Sequence, residues 1–314
     1  MSKYTHFEAL PLHATFGAEL KGIDWPHINA DVVAEIKAAV DEYGVCVLRN
    51  TGLDDAAHVE FSKQLGELDN IKRFIHPGRK MRYAHYELFD ASNLDENNEL
   101  LDLNSPRAHA NRGNGLFHSD SSYNPAAPPT PSSAPPSSPA GTGGATQFGD
   151  SRTALAQLPE PLKSKLLAAD YYFADIDPST FPMVRHRITQ LHEQSGRMTL
   201  YVGAHLHHIE GLPEEESAAL RDQLKAWVGR DENVLTVDWE QPGDLVIWDN
   251  RSTVHRALGG EFVGKYKRDL RRTTVHDEGK GAWGLNELAE NPSFDMGHKT
   301  LARAQPAAPA TVTV

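Results

Sequence analysis

The segment Gly-Asn-Gly-Leu-Phe-His-Ser-Asp-Ser-Ser, residues 113–122, places His118 and Asp120 two positions apart. In an extended chain, residues i and i+2 project to the same side. An imidazole and a carboxylate can then grip one ion from neighbouring positions. A second, distant histidine would complete a 2-His-1-carboxylate triad, a donor set that suits Fe(II) and leaves positions open for oxygen chemistry. The pair alone is a weak signal, because 16 histidines also supply His58/Glu60, His85/Glu87 and His208/Glu210. His58 and Glu60 fall in a segment of helical spacing, where i and i+2 diverge. The segment at 243–257, GDLVIWDNRSTVHRA, strengthens the case: a Gly-Asp turn leads into an apolar run, and His255 follows a short polar stretch. Arg268 and Arg272 then precede a β-branched run. That pattern fits an edge strand with a solvated basic face, or a guanidinium fork for a ligand carboxylate.

These residues need a scaffold. Residues 31–44 place Val33, Ile36 and Val40 at helical spacing and end at Gly44, a natural helix stop. Further helices are predicted over 56–68, 158–169 and 213–228, the last opened by proline and acidic residues. Strands are predicted over 45–50, 198–203, 233–239, 244–250 and 271–277, rich in β-branched and aromatic residues. This distribution favours an α+β or mainly β domain over a doubly wound sheet.

Composition sets the limits. The chain has 314 residues, 39% hydrophobic and 24% charged, which suits a globular protein with a sizeable core. One cysteine, Cys46, excludes an intramolecular disulfide and any cysteine-built metal cluster. The formal charge of −12 argues against general nucleic-acid binding. No apolar run approaches the ~20 residues of a membrane helix. The start, MSKYTHFEALPLHATF, lacks the basic and apolar regions of a secretory leader, so a cytoplasmic location is expected.

The blocks GNGLFHSDSSY, GTGGATQFGDSRTALAQLP (141–159), SGRMTLYVGAHLHHIEGLP (195–213), GDLVIWDNRSTVHRA and RDLRRTTV resemble the taurine/2,4-dichlorophenoxyacetate dioxygenase family. LHATFGAELKGIDW (12–25) and VDEYGVCVLRN also fit, so the resemblance covers about residues 10–278. HSDSS and the VGAH…HHIEGLP block place it nearer the phenoxyacetate branch. The resemblance implies a double-stranded β-helix, or jelly roll, flanked by helices, forming a single domain over 1–301. It implies dependence on Fe(II), 2-oxoglutarate and O2. The iron ligands map onto His118, Asp120 and His255. Arg268 and Thr146 map onto the groups that hold the 2-oxoglutarate side carboxylate. Arg272 maps onto the arginine that binds the substrate's acidic group, and Arg271 should face the other way on a regular strand.

Lys72 and Asn114 are further substrate-binding candidates from the phenoxyacetate and taurine branches. His192 and His205 lie in a stretch that lines the pocket in relatives and also read as structural histidines. Trp239, Trp248 and Phe148 read as core packing, and the adjacent His207 and His208 as structural. The implied substrate is a small organic anion, with an aryloxyalkanoate as first choice and a taurine-like sulfonate or sulfate ester as alternative. A non-catalytic jelly roll that binds metal or 2-oxoglutarate, and a metal-dependent hydrolase, are rival readings. Family members are often oligomers, which leaves a homo-oligomer open.

One stretch departs from the family pattern. Residues 124–144, NPAAPPTPSSAPPSSPAGTGG, stand where relatives run through an apolar core strand. Proline removes ladder donors, so 125–139 is expected either to lose that strand or to act as a mobile lid. The tail 302–314, ARAQPAAPATVTV, is expected to be disordered.

Overall fold

Helix Ala30–Tyr43 begins at Asn29, whose side chain accepts hydrogen bonds from the amides of Asp31 and Val32. It ends at Gly44, left-handed at φ 72°. Its stripe of Val32, Val33, Ile36 and Ala39 is buried, so tertiary packing secures the helix. The chain then enters strand Val45–Leu48, buried at all four positions. The computed structural model describes residues 3–75, 80–120, 122, 132–133, 141–168, 172–175, 184–277 and 279.

Val45–Leu48 pairs antiparallel with Leu245–Trp248 and parallel with Ala18–Lys21. Both faces of this sheet are covered, which is why its central strands read as unbroken apolar runs. The strand order is Glu8–Pro11, Ala18–Lys21, Val45–Leu48, Leu245–Trp248, Ser132–Ser133. A second sheet, ordered Val234–Val237, Thr146–Asp150, Thr253–Ala257, contributes Phe148, Leu235 and Val237 to a core shared with Val45, Val47, Val246 and Trp248. Two sheets around one core form the expected jelly roll. Helices Ala30–Tyr43 and Asp55–Leu65 cover the outside of the first sheet through Ile36, Ala39 and Phe61. On the other side, Leu155, Leu166, Leu224 and Val228 pack on Val254 and Leu200. Among the described residues no helix is long and apolar enough to cross a membrane.

Four predicted helices form with ends shifted by a few residues: Ala30–Tyr43, Asp55–Leu65, Glu160–Ala168 and Glu214–Val228. The strand expected over 271–277 shortens to Arg271–Arg272, paired with Phe89–Asp90. The residues around it bond to loops instead: Ala91 N to Leu270 O, Asp69 N to Thr274 O, and His276 N to Glu67 O. Within 125–139 only Ser132 and Ser133 are described, and they pair with Val246 and Leu245 at the edge of the first sheet. An edge is where neighbouring prolines can be accommodated. The rest of 125–139, and the tail 302–314, lie outside the described residues.

His58 is buried on helix Asp55–Leu65, with Nε2 3.4 Å from Thr273 Oγ1, while Glu60 is exposed. The pair diverges, as helical spacing requires. Burial, with Arg271 nearby, pushes the His58 pKa down to about 4 from 6.5. A neutral His58 therefore stabilises the fold fully above pH ~6.5. That contribution is lost as pH falls toward ~4, where the unfolded chain takes up the proton and the folded chain does not, a change of about 3 kcal/mol. Urea midpoints at pH 7 and 4.5 should fall more steeply for the wild type than for His58→Gln; parallel falls refute the assignment.

Candidate active site

His118 and His255 exchange both backbone hydrogen bonds, His118 N to His255 O at 3.0 Å and His255 N to His118 O at 2.8 Å. This antiparallel bridge sets the imidazoles side by side, with ring centroids 4.3 Å apart. Asp120 reaches the same point: His118 Nε2 lies 3.7 Å from Oδ1, and His255 Nε2 lies 3.4 Å from Oδ2. All three residues are buried. His118 Nδ1 is 2.7 Å from Leu116 O, which fixes the ring with Nε2 toward the carboxylate. Gly203 backs this loop, since a Cβ there would stand 3.1 Å from His118 Cα.

The electrostatics keep the donors available. Burial pushes the Asp120 carboxyl up, but Arg272, His255 and His118 outweigh it and hold its pKa at about 2. Burial pushes His255 down to about 3, against the pull of Asp120. At neutral pH the site therefore offers an ionised carboxylate and a neutral His255. Asp120 Oδ2 is buried with no hydrogen-bond partner among the described residues. Two nitrogens and an unsatisfied carboxylate oxygen fit a divalent cation such as Fe(II).

The turn before His255 also positions Asp120. Asn250 Oδ1 accepts from Asp120 N and from Trp248 Nε1, both at 3.2 Å. Asn250 O accepts from Ser119 Oγ at 3.4 Å. Asp249 holds the turn through His192 Nε2 at 2.8 Å and Arg251 N at 2.9 Å. Asn250→Ala should weaken Mn(II) binding about ten- to a hundredfold, read by electron paramagnetic resonance titration. Unchanged affinity would show that the turn does not position the carboxylate.

Asp41, His192 and Asp249 form a second constellation of ligand type. There the guanidinium of Arg251 reaches both Asp41, at 3.3 Å, and Asp249, at 2.8 Å. A cation already balances these carboxylates, and Arg251 with His192 keeps Asp249 well below the usual carboxylate range despite its burial.

The triad opens into a cavity of about 420 Å³, also lined by Thr146, Arg268, Arg272, Asn114, His205, Trp239 and Trp248. Arg268 is buried, and Nη2 donates to Gly144 O at 2.9 Å. No carboxylate pairs with it among the described residues, and burial alone pushes its pKa down to about 10. Such a cation calls for an anion from outside the chain. Gly144 is left-handed at φ 84°, and a Cβ there would press on Arg268 Nε at 3.0 Å. Thr146 Oγ1 accepts from Trp239 Nε1 at 3.2 Å.

Arg272 Nη1 donates to Asp120 Oδ1 at 2.5 Å, its guanidinium lies 4.7 Å from the Phe89 ring, and its buried Nε has no partner among the described residues. Arg271 pairs with Asp55 and Asp269, yet it too lines the cavity. Asn114 lies on the turn Arg112–Gly115 and faces the cavity.

The fold does not bring every candidate here. Lys72 is exposed, its Nζ 5.6 Å from the Tyr86 ring and outside the cavity lining. His192 is buried against Asp249 and Ser195. His205 does line the cavity, 5.9 Å from the His118 ring, and burial pushes its pKa down to about 4. His207 and His208 contact each other away from the cavity. Core packing accounts fully for Phe148, but only in part for the tryptophans: Trp248 packs its ring 4.7 Å from His255, and both tryptophans wall the cavity. Alternation along a strand identifies a buried aromatic but not which void it borders.

The family described as "Taurine catabolism dioxygenase TauD, TfdA family" matches residues 8–274. The alpha-ketoglutarate-dependent 2,4-dichlorophenoxyacetate dioxygenase of Cupriavidus pinatubonensis is 34% identical over 290 residues, covering 86% of this chain and 98% of that protein. The alpha-ketoglutarate-dependent sulfate ester dioxygenase of Pseudomonas putida is 31% identical over 291 residues, covering 85% and 89%. Among solved structures, AAD-2 in complex with Mn(II) and N-oxalylglycine superposes with a TM-score of 0.79 at 26% identity, covering 88% of this chain and all of that one.

Proposed function

This chain belongs to the taurine catabolism dioxygenase TauD, TfdA family, and from that premise we propose that it hydroxylates a small organic anion, an aryloxyalkanoate before others. Members of this family are Fe(II)- and 2-oxoglutarate-dependent dioxygenases, and the chain is an enzyme of that class. The observation that supports the substrate reading is Arg272, a guanidinium that lines the triad cavity and donates to Asp120 Oδ1 beside the metal donors. Bound Fe(II), with 2-oxoglutarate and O2, supplies the oxidising chemistry, and the cosubstrate leaves as succinate and carbon dioxide.

The chain's own residues do the positioning. His118 and His255 offer Nε2, and Asp120 offers Oδ2, to the metal. Arg268, with the hydroxyl of Thr146, takes the distal carboxylate of 2-oxoglutarate, and the fork geometry sets its orientation. Arg272 takes the acidic group of the substrate, with Asn114 further along the cavity. Trp239 and Trp248 wall the cavity, with the Trp248 ring against His255. Lys72, with its ammonium over the Tyr86 ring and outside the cavity lining, is not assigned a role in this reading. Hydroxylation at the carbon beside an ether oxygen yields a hemiacetal, which collapses to a phenol and a 2-oxo acid.

The test begins with anaerobic Fe(II) and 2-oxoglutarate added to the apoprotein, read by the visible charge-transfer band of the chelate. O2 is then admitted with phenoxyacetate, 2,4-dichlorophenoxyacetate, taurine or an alkyl sulfate, and succinate and phenol are quantified. Succinate matched by phenol is the expected result. Succinate driven only by taurine or the alkyl sulfate overturns the aryloxyalkanoate reading. Turnover without O2 or 2-oxoglutarate would instead indicate a hydrolase.

A further inference from the structure

A second chamber of about 440 Å³ opens beside the main cavity. The two share Ala91, Asn114, Ala257 and Arg268 as walls. Ala257 stands two residues past His255 on strand Thr253–Ala257, on the same face. The chamber therefore adjoins the main cavity on its Asn114 and Arg268 side, two residues along the strand from His255. Beyond the shared walls one side of the lining is apolar, with Leu100, Leu101, Leu103, Leu258, Phe262 and Val263, beside the polar Ser92, Asn93, Asn111 and Arg112, and no carboxylate lines it among the described residues. Leu103 and Val263 remain 49% and 48% exposed. The fold gains little from such side chains around an open space, and contiguous apolar surface of this kind marks a binding site.

We infer that the chamber receives the distal apolar part of the substrate. The preferred substrate would then be an aryloxyalkanoate extended away from its acid by an alkyl chain, not a bare phenoxyacetate. This rests on the aryloxyalkanoate reading above. The acid is held by Arg272, the ring occupies the main cavity, and the extension passes Asn114 into the chamber. 2-Oxoglutarate is the other molecule that approaches the shared wall, through Arg268, but a short dicarboxylate has nothing apolar to place there. Bulk on the chamber side of Asn114 thus sets chain-length preference without touching the metal or the cosubstrate.

Calorimetric titration of the protein loaded with Mn(II) and N-oxalylglycine tests this, using phenoxyacetate, 4-butylphenoxyacetate and 4-octylphenoxyacetate. Affinity should rise about three- to fourfold per methylene over the first methylenes. Ala108 lines the chamber and not the main cavity. Ala108→Phe should remove the gain for the alkylated acids and leave phenoxyacetate and N-oxalylglycine within twofold of wild type. Val263 lies at the exposed rim, where a charge is compatible with folding, and Val263→Asp should reduce the same gain. A gain that survives both variants, or no gain in the wild type, overturns the inference while phenoxyacetate binding still upholds the substrate class. Loosened N-oxalylglycine in Ala108→Phe assigns the chamber to the cosubstrate and overturns it as well. An alkylated acid that binds in an Ala108-dependent way where phenoxyacetate does not bind supports the chamber and narrows the substrate class. No binding by any of the three acids overturns both readings.

Discussion

His118→Ala is expected to abolish metal uptake and turnover together. The imidazole is one of three donors, and its Nε2 is aimed at the Asp120 carboxylate by the bond from Nδ1 to Leu116 O. Four-ligand metal sites bind with roughly 10–16 kcal/mol, so one ligand is worth about 3 kcal/mol and its loss at least about a hundredfold in affinity. Alanine also removes one of the two imidazole donors beside Asp120 Oδ2, a buried oxygen with no hydrogen-bond partner among the described residues. His205→Ala is the informative control, because His205 lines the same cavity yet lies outside the donor set. Mn(II) titration should show near-wild-type affinity for His205→Ala and no saturable site for His118→Ala. Equal affinities in the two variants would sink the triad.

The clustering of His118, Asp120 and His255 was legible through the family resemblance of their segments, since the His118/Asp120 pair alone is a weak signal among 16 histidines. The apolar run of Leu245–Trp248 could be read without knowing its neighbours. The bridge between His118 and His255 could not, since it joins residues far apart in sequence. Strand Thr146–Asp150 is equally hidden: its sequence TQFGD alternates poorly, and it becomes a strand through pairing with both Val234–Val237 and Thr253–Ala257. Asn250 escaped notice for the same reason, because an asparagine in a turn reads as turn chemistry until Asp120 N is found on its Oδ1. Lys72 was attractive by position alone, and the fold turned it toward Tyr86. The helical core followed the apolar spacing in part: Val33 and Ile36 on helix Ala30–Tyr43 are buried, while Val40 is half-buried. Cavity walls depend on which side chains fail to fill space, and no periodicity encodes that.

Arg268→Met is expected to cost 2-oxoglutarate binding about 30-fold to a few thousandfold, the effect of truncating one partner of a buried charge pair. Stability should move the other way. Burial has pushed the Arg268 pKa from 12.5 down to about 10, so keeping this cation charged costs the folded protein about 3 kcal/mol when no anion is bound. Methionine removes that cost, fills similar volume, and gives up the bond to Gly144 O at 2.9 Å. The variant should therefore melt at the same temperature as the metal-free wild type, or higher. Arg268→Lys keeps a charge but not the planar fork, so it should lose cosubstrate affinity without gaining stability. Because Arg268 does not belong to the donor set, Mn(II) affinity measured without 2-oxoglutarate should stay within twofold in both variants. Unchanged 2-oxoglutarate affinity in Arg268→Met would remove Arg268 from the site. A lowered melting temperature with lost metal binding would make it a structural residue whose burial serves the fold. Loosened cosubstrate in a protein of equal or greater stability is the combination that only a functional cation produces.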